Sequence, residues 1–197
     1  MSDTTWAASD HGANIGLTQA HVWHQAVAMQ LRRIRTEADG FHEMLDAYNL
    51  VMDLRQVLRG VEMCADHLTT DPAKAMAAEA LADFEQALPG GKPARDVIEH
   101  FDEYALGRGN LQQPSLRLRS RQPDDDLAEQ YRHEFRWQGE GDQRRPVLIV
   151  GPYPIDLITA EDASFRLYCA AYEAVLADQG NPVPRGWALQ QLGHGRS

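Results

Sequence analysis

The stretch Arg95-Asp96-Val97-Ile98-Glu99-His100-Phe101-Asp102-Glu103-Tyr104 gathers a guanidinium, an imidazole, a phenol and several carboxylates into a few turns of chain. A guanidinium can stabilise the charge on a phosphate in transition, and an imidazole can move a proton near neutral pH. On one straight helix at about 100° per residue, Val97, Ile98, Phe101 and Ala105 fall on one side and face a core. Arg95 and His100 then lie about 140° apart on opposite shoulders of the polar side. Asp96, Glu99 and Glu103 sit between them, and Tyr104 lies one turn beyond His100. The carboxylates would repel a phosphate. The local alternative is that Arg95 pairs with Glu99, and His100 with Asp96 or Tyr104, as ordinary i,i+4 neighbours.

Other sets of residues offer less. His21 and His24 are three apart on a helix and could share a metal, but no Glu-x-x-His pairs complete a carboxylate site in a bundle core. Arg117, Arg119 and Arg121 alternate in a polar connector and could touch a phosphate backbone, but Asp124, Asp125 and Asp126 follow at once and offset them. No phosphate-binding glycine pattern and no Gly-x-Ser-x-Gly elbow occurs, so no cofactor is expected. Cys64 and Cys169 both fall in expected helices and read as two buried thiols.

The elements that must position these groups follow from periodicity. Residues 1–16 lack it and are expected to form a loose arm. Thr18 is placed to cap a first helix to about Ala38, with Trp23, Val27, Leu31 and Ile34 as its apolar stripe. The chain turns at Asp39-Gly40. A second helix follows over Phe41 to Leu68, with a stripe of Met44, Tyr48, Val51, Leu58, Val61, Ala65 and Leu68. Asp71 caps and Pro72 opens a third helix through Met76, Ala80, Phe84 and Leu88, which Pro89-Gly90-Gly91 ends. A fourth runs from about Pro93 to Gly107-Arg108-Gly109. Gln112 to Asp126 is a polar, Pro-containing connector.

Beyond it, Tyr131, His133, Phe135 and Trp137 alternate with charged residues as a half-buried strand does. A turn over Gly139 to Arg145 leads to Val147–Val150 and completes a hairpin. Thr159 with Asp162 resembles a capping box. It opens a last helix bearing Phe165, Tyr168, Cys169, Tyr172 and Leu176, closed by Gly180 and Pro182.

The fold expected is therefore mainly α: an antiparallel helical bundle with a late β-hairpin and a C-terminal helix. Its segments are an arm over 1–16, the bundle over 17–110, the connector, hairpin and last helix over 111–180, and a tail over 181–197. At 197 residues with 43% hydrophobic and 24% charged side chains, the chain can bury a core and is not of disordered composition. Its net charge of −10 argues against coating nucleic acid by bulk electrostatics. Residues 1–112 hold 9 basic against 17 acidic side chains, and 113–197 hold 10 against 12, so a polyanion would have to be gripped locally. No apolar run reaches the roughly 18 residues of a membrane span, and no export signal is read at the N-terminus, so a cytoplasmic location is expected.

Arg95-Asp96 followed by His100 resembles the motif of the HEPN family. These are α-helical bundle domains marked by an Arg, usually with a polar residue after it, and a His four to six residues further on. The likeness spans the helical plan of about residues 18–110 and the six residues of the motif. It implies a metal-independent endoribonuclease, as in toxin–antitoxin and phage-defence systems, with two motifs meeting across a homodimer. Arg95 would then stabilise phosphate charge, His100 would move the proton, and Asp96 and Tyr104 would support them. RNA and an antitoxin or other protein would be the partners. Some members carry a Tyr two residues after the His. Here that position is Asp102, so regulation through that Tyr does not carry over. The alternative function is a non-catalytic interaction module of the same fold, binding a protein partner.

Overall fold

The computed structural model of the protein describes residues 12–36, 41–112 and 130–193. Among them the chain is mainly α, with seven helices, a small late antiparallel sheet and a helical C-terminal region. The helices are α1 (Gly12–Thr36), α2 (Phe41–Asp66), α3 (Asp71–Ala87), α4 (Gly91–Glu99), α5 (Phe101–Ala105), α6 (Leu157–Asp178) and α7 (Trp187–Gly193). The strands are β1 (His133–Gln138), β2 (Arg145–Val150) and β3 (Tyr153–Asp156). No described helix is long and apolar enough to cross a membrane. The packing forms two compact units. One holds described residues 12–25, 54–84 and 163–193, and the other holds 26–36, 41–53, 85–112 and 130–162.

In the first unit, α1 starts at Gly12, inside the segment expected to be a loose arm. Thr18 is not its cap: the hydroxyl donates to the Asn14 carbonyl one turn back, at 2.7 Å. What extends the helix is small rather than large side chains. A Cβ on Gly16 would lie 2.5 Å from the Cys64 amide nitrogen, and one on Gly60 would lie 2.5 Å from that of Ala20. The two glycines therefore let α1 and α2 touch backbone to backbone. Ala13, Cys64, Leu68, Ala73, Ala77, Ala174 and Val175 close the core beside them.

The buried seam of α2 runs through Ala47, Leu50, Leu54, Val57, Val61 and Cys64, whereas Met44, Tyr48 and Leu58 are only half-buried. Of the expected stripe Val51, Val61 and Leu68 are buried, whereas at Met44, Tyr48 and Leu58 neighbouring residues such as Ala47 and Val57 take the inward positions. Asp178 receives the amide hydrogens of Thr69 and Thr70 at 2.8 and 2.7 Å, so the start of α3 is tied down from the end of α6. Residues 187–193, expected to belong to a tail, form α7. The Glu173 carboxylate accepts from the Gly186 and Ala188 amides at 3.1 and 2.8 Å and fixes its first turn. Both cysteines are free and buried. Burial, with the charge of Asp178 adding, pushes the Cys64 thiol up to about 11; burial and Glu173 push Cys169 up to about 12. Neither is a thiolate near neutral pH.

In the second unit the hairpin grows into a three-stranded sheet of order β1-β2-β3, both pairs antiparallel. β3 was missed because it is four residues long, contains Pro154 and runs straight into α6. As an edge strand it tolerates the proline. The cap of α6 is Asp156 and not Thr159: Asp156 Oδ1 accepts from the Thr159 amide at 2.8 Å. Arg145 clamps the same carboxylate, with Nη2 2.8 Å from Oδ1 and Nε on Oδ2. These bonds hold the Asp156 carboxyl below its usual range against the opposing effect of burial.

Candidate functional site

The start of α4 is seated on the sheet. A Cβ on Gly90 would meet Ile155 and Tyr153 of β3 at 3.3 Å, and Ala94 and Val97 are fully buried. That seating fixes which side of α4 faces solvent. The straight helix expected from Pro93 to Gly107 is not formed. It stops at Glu99, His100 takes φ −118° and ψ 36°, and α5 begins afresh at Phe101. The break changes the facing of everything after it. Phe101, expected in the core, is 64% exposed, and Leu106 is 58% exposed. Ala105 is exposed as well, and Tyr104 is the residue that turns inward, at 2%.

Tyr104 is the keystone of this corner. Its hydroxyl donates to Asp96 Oδ2 at 2.7 Å and accepts from the Leu111 amide at 3.2 Å. Its carbonyl accepts from Gln112 Nε2 at 3.0 Å, and Gln112 Oε1 takes the Gly109 amide at 2.7 Å. Gly109 is required here, because a Cβ would come within 2.3 Å of the Tyr104 ring. Tyr131 stacks at a tilt on the same ring at 4.9 Å. Burial first, and then the hydrogen bond to Asp96, push the phenol far above its ordinary range, so it does not ionise near neutral pH. Asp96 and Tyr104 are bonded to each other and hold the corner closed.

Arg95 lies on the flank of α4 with its side chain 15% exposed, and its Nε is 3.5 Å from Glu99 Oε2. That is the i,i+4 ion pair that the spacing allows. The contact falls short of a hydrogen bond, and the buried Nε has no other partner. His100 is exposed at the break. Its backbone closes α4, by donating to the Asp96 carbonyl at 3.1 Å, and starts α5, by accepting from Glu103 and Tyr104 at 3.0 and 3.2 Å. No side-chain hydrogen bond or ion pair joins His100 to Arg95 among the described residues. The surrounding side chains Glu99, Asp102 and Glu103 are exposed, so the corner faces solvent with apolar tips set among carboxylates.

Two further clusters escaped the sequence. In the second unit, Tyr48 Oη lies 2.8 Å from His133 Nδ1, and Trp137 Nε1 donates to Glu43 Oε1 at 3.0 Å, pinning β1 to α2. Nearby Arg33 pairs with the buried Asp46 at 3.2 Å, and burial lifts Asp53 to about 6 despite a hydrogen bond from Gln30. Glu43 and Asp46 occupy helix positions where carboxylates ordinarily face water; Trp137 on β1 accounts for the first and Arg33 on α1 for the second. In the first unit, His24 is 1% exposed, with Nδ1 3.1 Å from Ser164 Oγ. Its ring is stacked over Tyr168 at 6.0 Å, and Tyr168, Tyr172 and Trp187 continue the row at 6.5 Å steps.

His21 is exposed against Tyr168, so the two histidines three residues apart have different environments. No group of three or more His, Cys, Asp or Glu is placed to hold a metal among the described residues. Arg117, Arg119, Arg121 and Asp124–Asp126 lie outside the described residues. No protein-family model, curated protein or solved structure matches this chain, so the likeness of Arg95-Asp96 and His100 to the HEPN motif rests on those residues and the helical plan alone.

Proposed function

We propose that the chain is a non-catalytic helical interaction module whose α4–α5 corner recognises a protein partner. The observation that carries this reading is the pair Phe101 and Leu106, the two most exposed large hydrophobic side chains among the described residues. A lone exposed apolar side chain is ordinary, but two at the ends of one five-residue helix, among Glu99, Asp102 and Glu103, offer a protein partner two apolar anchors with polar residues around them. The corner is rigid because Tyr104, Asp96, Gln112 and Gly109 lock it from inside. The partner it fits offers an apolar pocket rimmed by Lys or Arg.

A photo-reactive residue at position 101 tests this in cells expressing the protein. One discrete protein adduct is expected, lost in Leu106→Asp and retained in His100→Ala. No adduct, or adducts indifferent to Leu106→Asp, contradicts the reading.

A second reading is a metal-independent endoribonuclease of the HEPN kind using Arg95 and His100, with Asp96 and Tyr104 in support. The exposure of His100 and the 3.5 Å separation in the Arg95–Glu99 pair favour it, since that contact is loose enough for a phosphate to compete with Glu99 for the guanidinium. Incubation of purified protein with RNA in chelator would then leave cyclic phosphate ends, and His100→Ala would abolish them.

A further inference from the structure

We infer that β1 is a self-complementary edge through which two copies of this chain pair into one continuous antiparallel sheet. β1 is the outer strand of the order β1-β2-β3, and all six of its residues are in register with β2. Beyond that ladder, no backbone hydrogen bond reaches residues 133–138 among the described residues. The strand holds no proline and no bulge, two of the devices by which edges are usually blunted. Its protection lies in charge, and the order of those charges is what identifies the occupant.

Antiparallel pairing of β1 with its own copy about a two-fold axis at Phe135 sets Glu134 opposite Arg136 and Arg136 opposite Glu134. The same register sets Phe135 on Phe135, and His133 opposite Trp137. Directly opposed charges of opposite sign and aromatic pairs are the contacts that stabilise neighbouring strands. A slip by two residues in either direction brings Glu134 onto Glu134 or Arg136 onto Arg136, which is repulsive. A slip by one turns the aromatic face to the wrong side. Only one register therefore satisfies both the charges and the face. Within one copy, Glu134 reaches Arg132 and Arg136 only at 4.0 Å each, between exposed side chains. Such pairs are weak, and the Arg136 guanidinium also donates to the Gln138 side-chain oxygen at 3.1 Å, a neutral partner that a carboxylate on a second strand can displace.

The test is sedimentation of the full chain over a concentration series, with circular dichroism confirming the fold of each variant. The wild type is expected to dimerise. Arg136→Glu and Glu134→Arg should each weaken the dimer on the order of tenfold or more, since each replaces two attractive pairs by two repulsive ones. The double exchange Glu134→Arg with Arg136→Glu should restore it, because the opposed pairs re-form with their signs reversed. A wild type that stays monomeric at every concentration overturns the inference. So does a dimer indifferent to both single variants, or a double exchange that fails to recover.

Discussion

His24 and His100 sit in regions of opposite character, and sequence spacing gave prominence to the second. His24 is enclosed, bonded to Ser164 and stacked on Tyr168, at a helix position read only as half of a weak histidine pair. His100 lies in a motif of chemical promise, and it proves to be the exposed hinge between two short helices. Around His24 polar groups serve packing. Around His100 the polar groups Asp96, Tyr104 and Gln112 build the corner, and the residues facing water are His100 itself, the apolar Phe101 and Leu106, the carboxylates Glu99, Asp102 and Glu103, and Arg108. The lesson is that a motif on a helix has meaning only with the helix's own breaks, because one residue off helical geometry reassigns every side chain after it.

The contrast can be broken most forcefully on the packed side. Gly60→Leu should be the most damaging change, about 4 kcal/mol or more, because the Ala20 backbone already stands 2.5 Å from where its Cβ would be. Chemical denaturation would show a greatly lowered midpoint. Next, His24→Ala should cost about 2–4 kcal/mol, by opening a cavity and removing the imidazole partner of the Ser164 hydroxyl. The same truncation at His100 should stay within about 0.5 kcal/mol. Equal losses at the two sites would erase the distinction.

Tyr104→Phe comes third. It leaves Asp96 Oδ2 and the Leu111 amide without their shared hydroxyl and should cost about 1–2 kcal/mol. Faster hydrogen exchange at Leu111 and Gln112 should accompany the loss.

Smaller and opposite in sign is Asp53→Asn. The Asp53 carboxyl is lifted to about 6, so the folded protein holds that proton more tightly than the unfolded chain does. Its ionisation therefore removes stability as pH rises from about 4 to about 6. With solvent screening of a half-buried group allowed for, Asn at this position should add about 1 kcal/mol at neutral pH and flatten the profile over that window. Thermal unfolding at pH 4, 5, 6 and 7 would measure it, and a variant less stable at pH 7 would contradict it.

Much of the helical plan was legible. α2 and α3 fall within about two residues of where their apolar periods and the Asp71-Pro72 junction put them, because those signals are local. What was not legible depended on distant partners. The early start of α1 rests on Ala13, Gly16 and Ala20 meeting Gly60 and Cys64, and small residues give no hydrophobic period. The two amides just before α3 are held by Asp178, over a hundred residues away in the chain. β3 is defined by its pairing to β2 and not by any alternation of its own. Of the candidate site, the residue types and the Arg95–Glu99 pairing could be read. The break at His100 could not, since nothing local forbids helix there. It goes together with the inward turn of Tyr104 to Asp96, Gln112 and the loop at Gly109, none of which a helical period shows.

The α4–α5 corner can work through its apolar tips or through its imidazole. Photo-crosslinking from position 102, outside both groups, compares the two in one experiment. The adduct yield should fall at least tenfold when Phe101→Asp and Leu106→Asp are combined, and stay unchanged in His100→Ala. A yield insensitive to the apolar pair, together with metal-free RNA cleavage lost in His100→Ala, would contradict the account and assign the corner to catalysis.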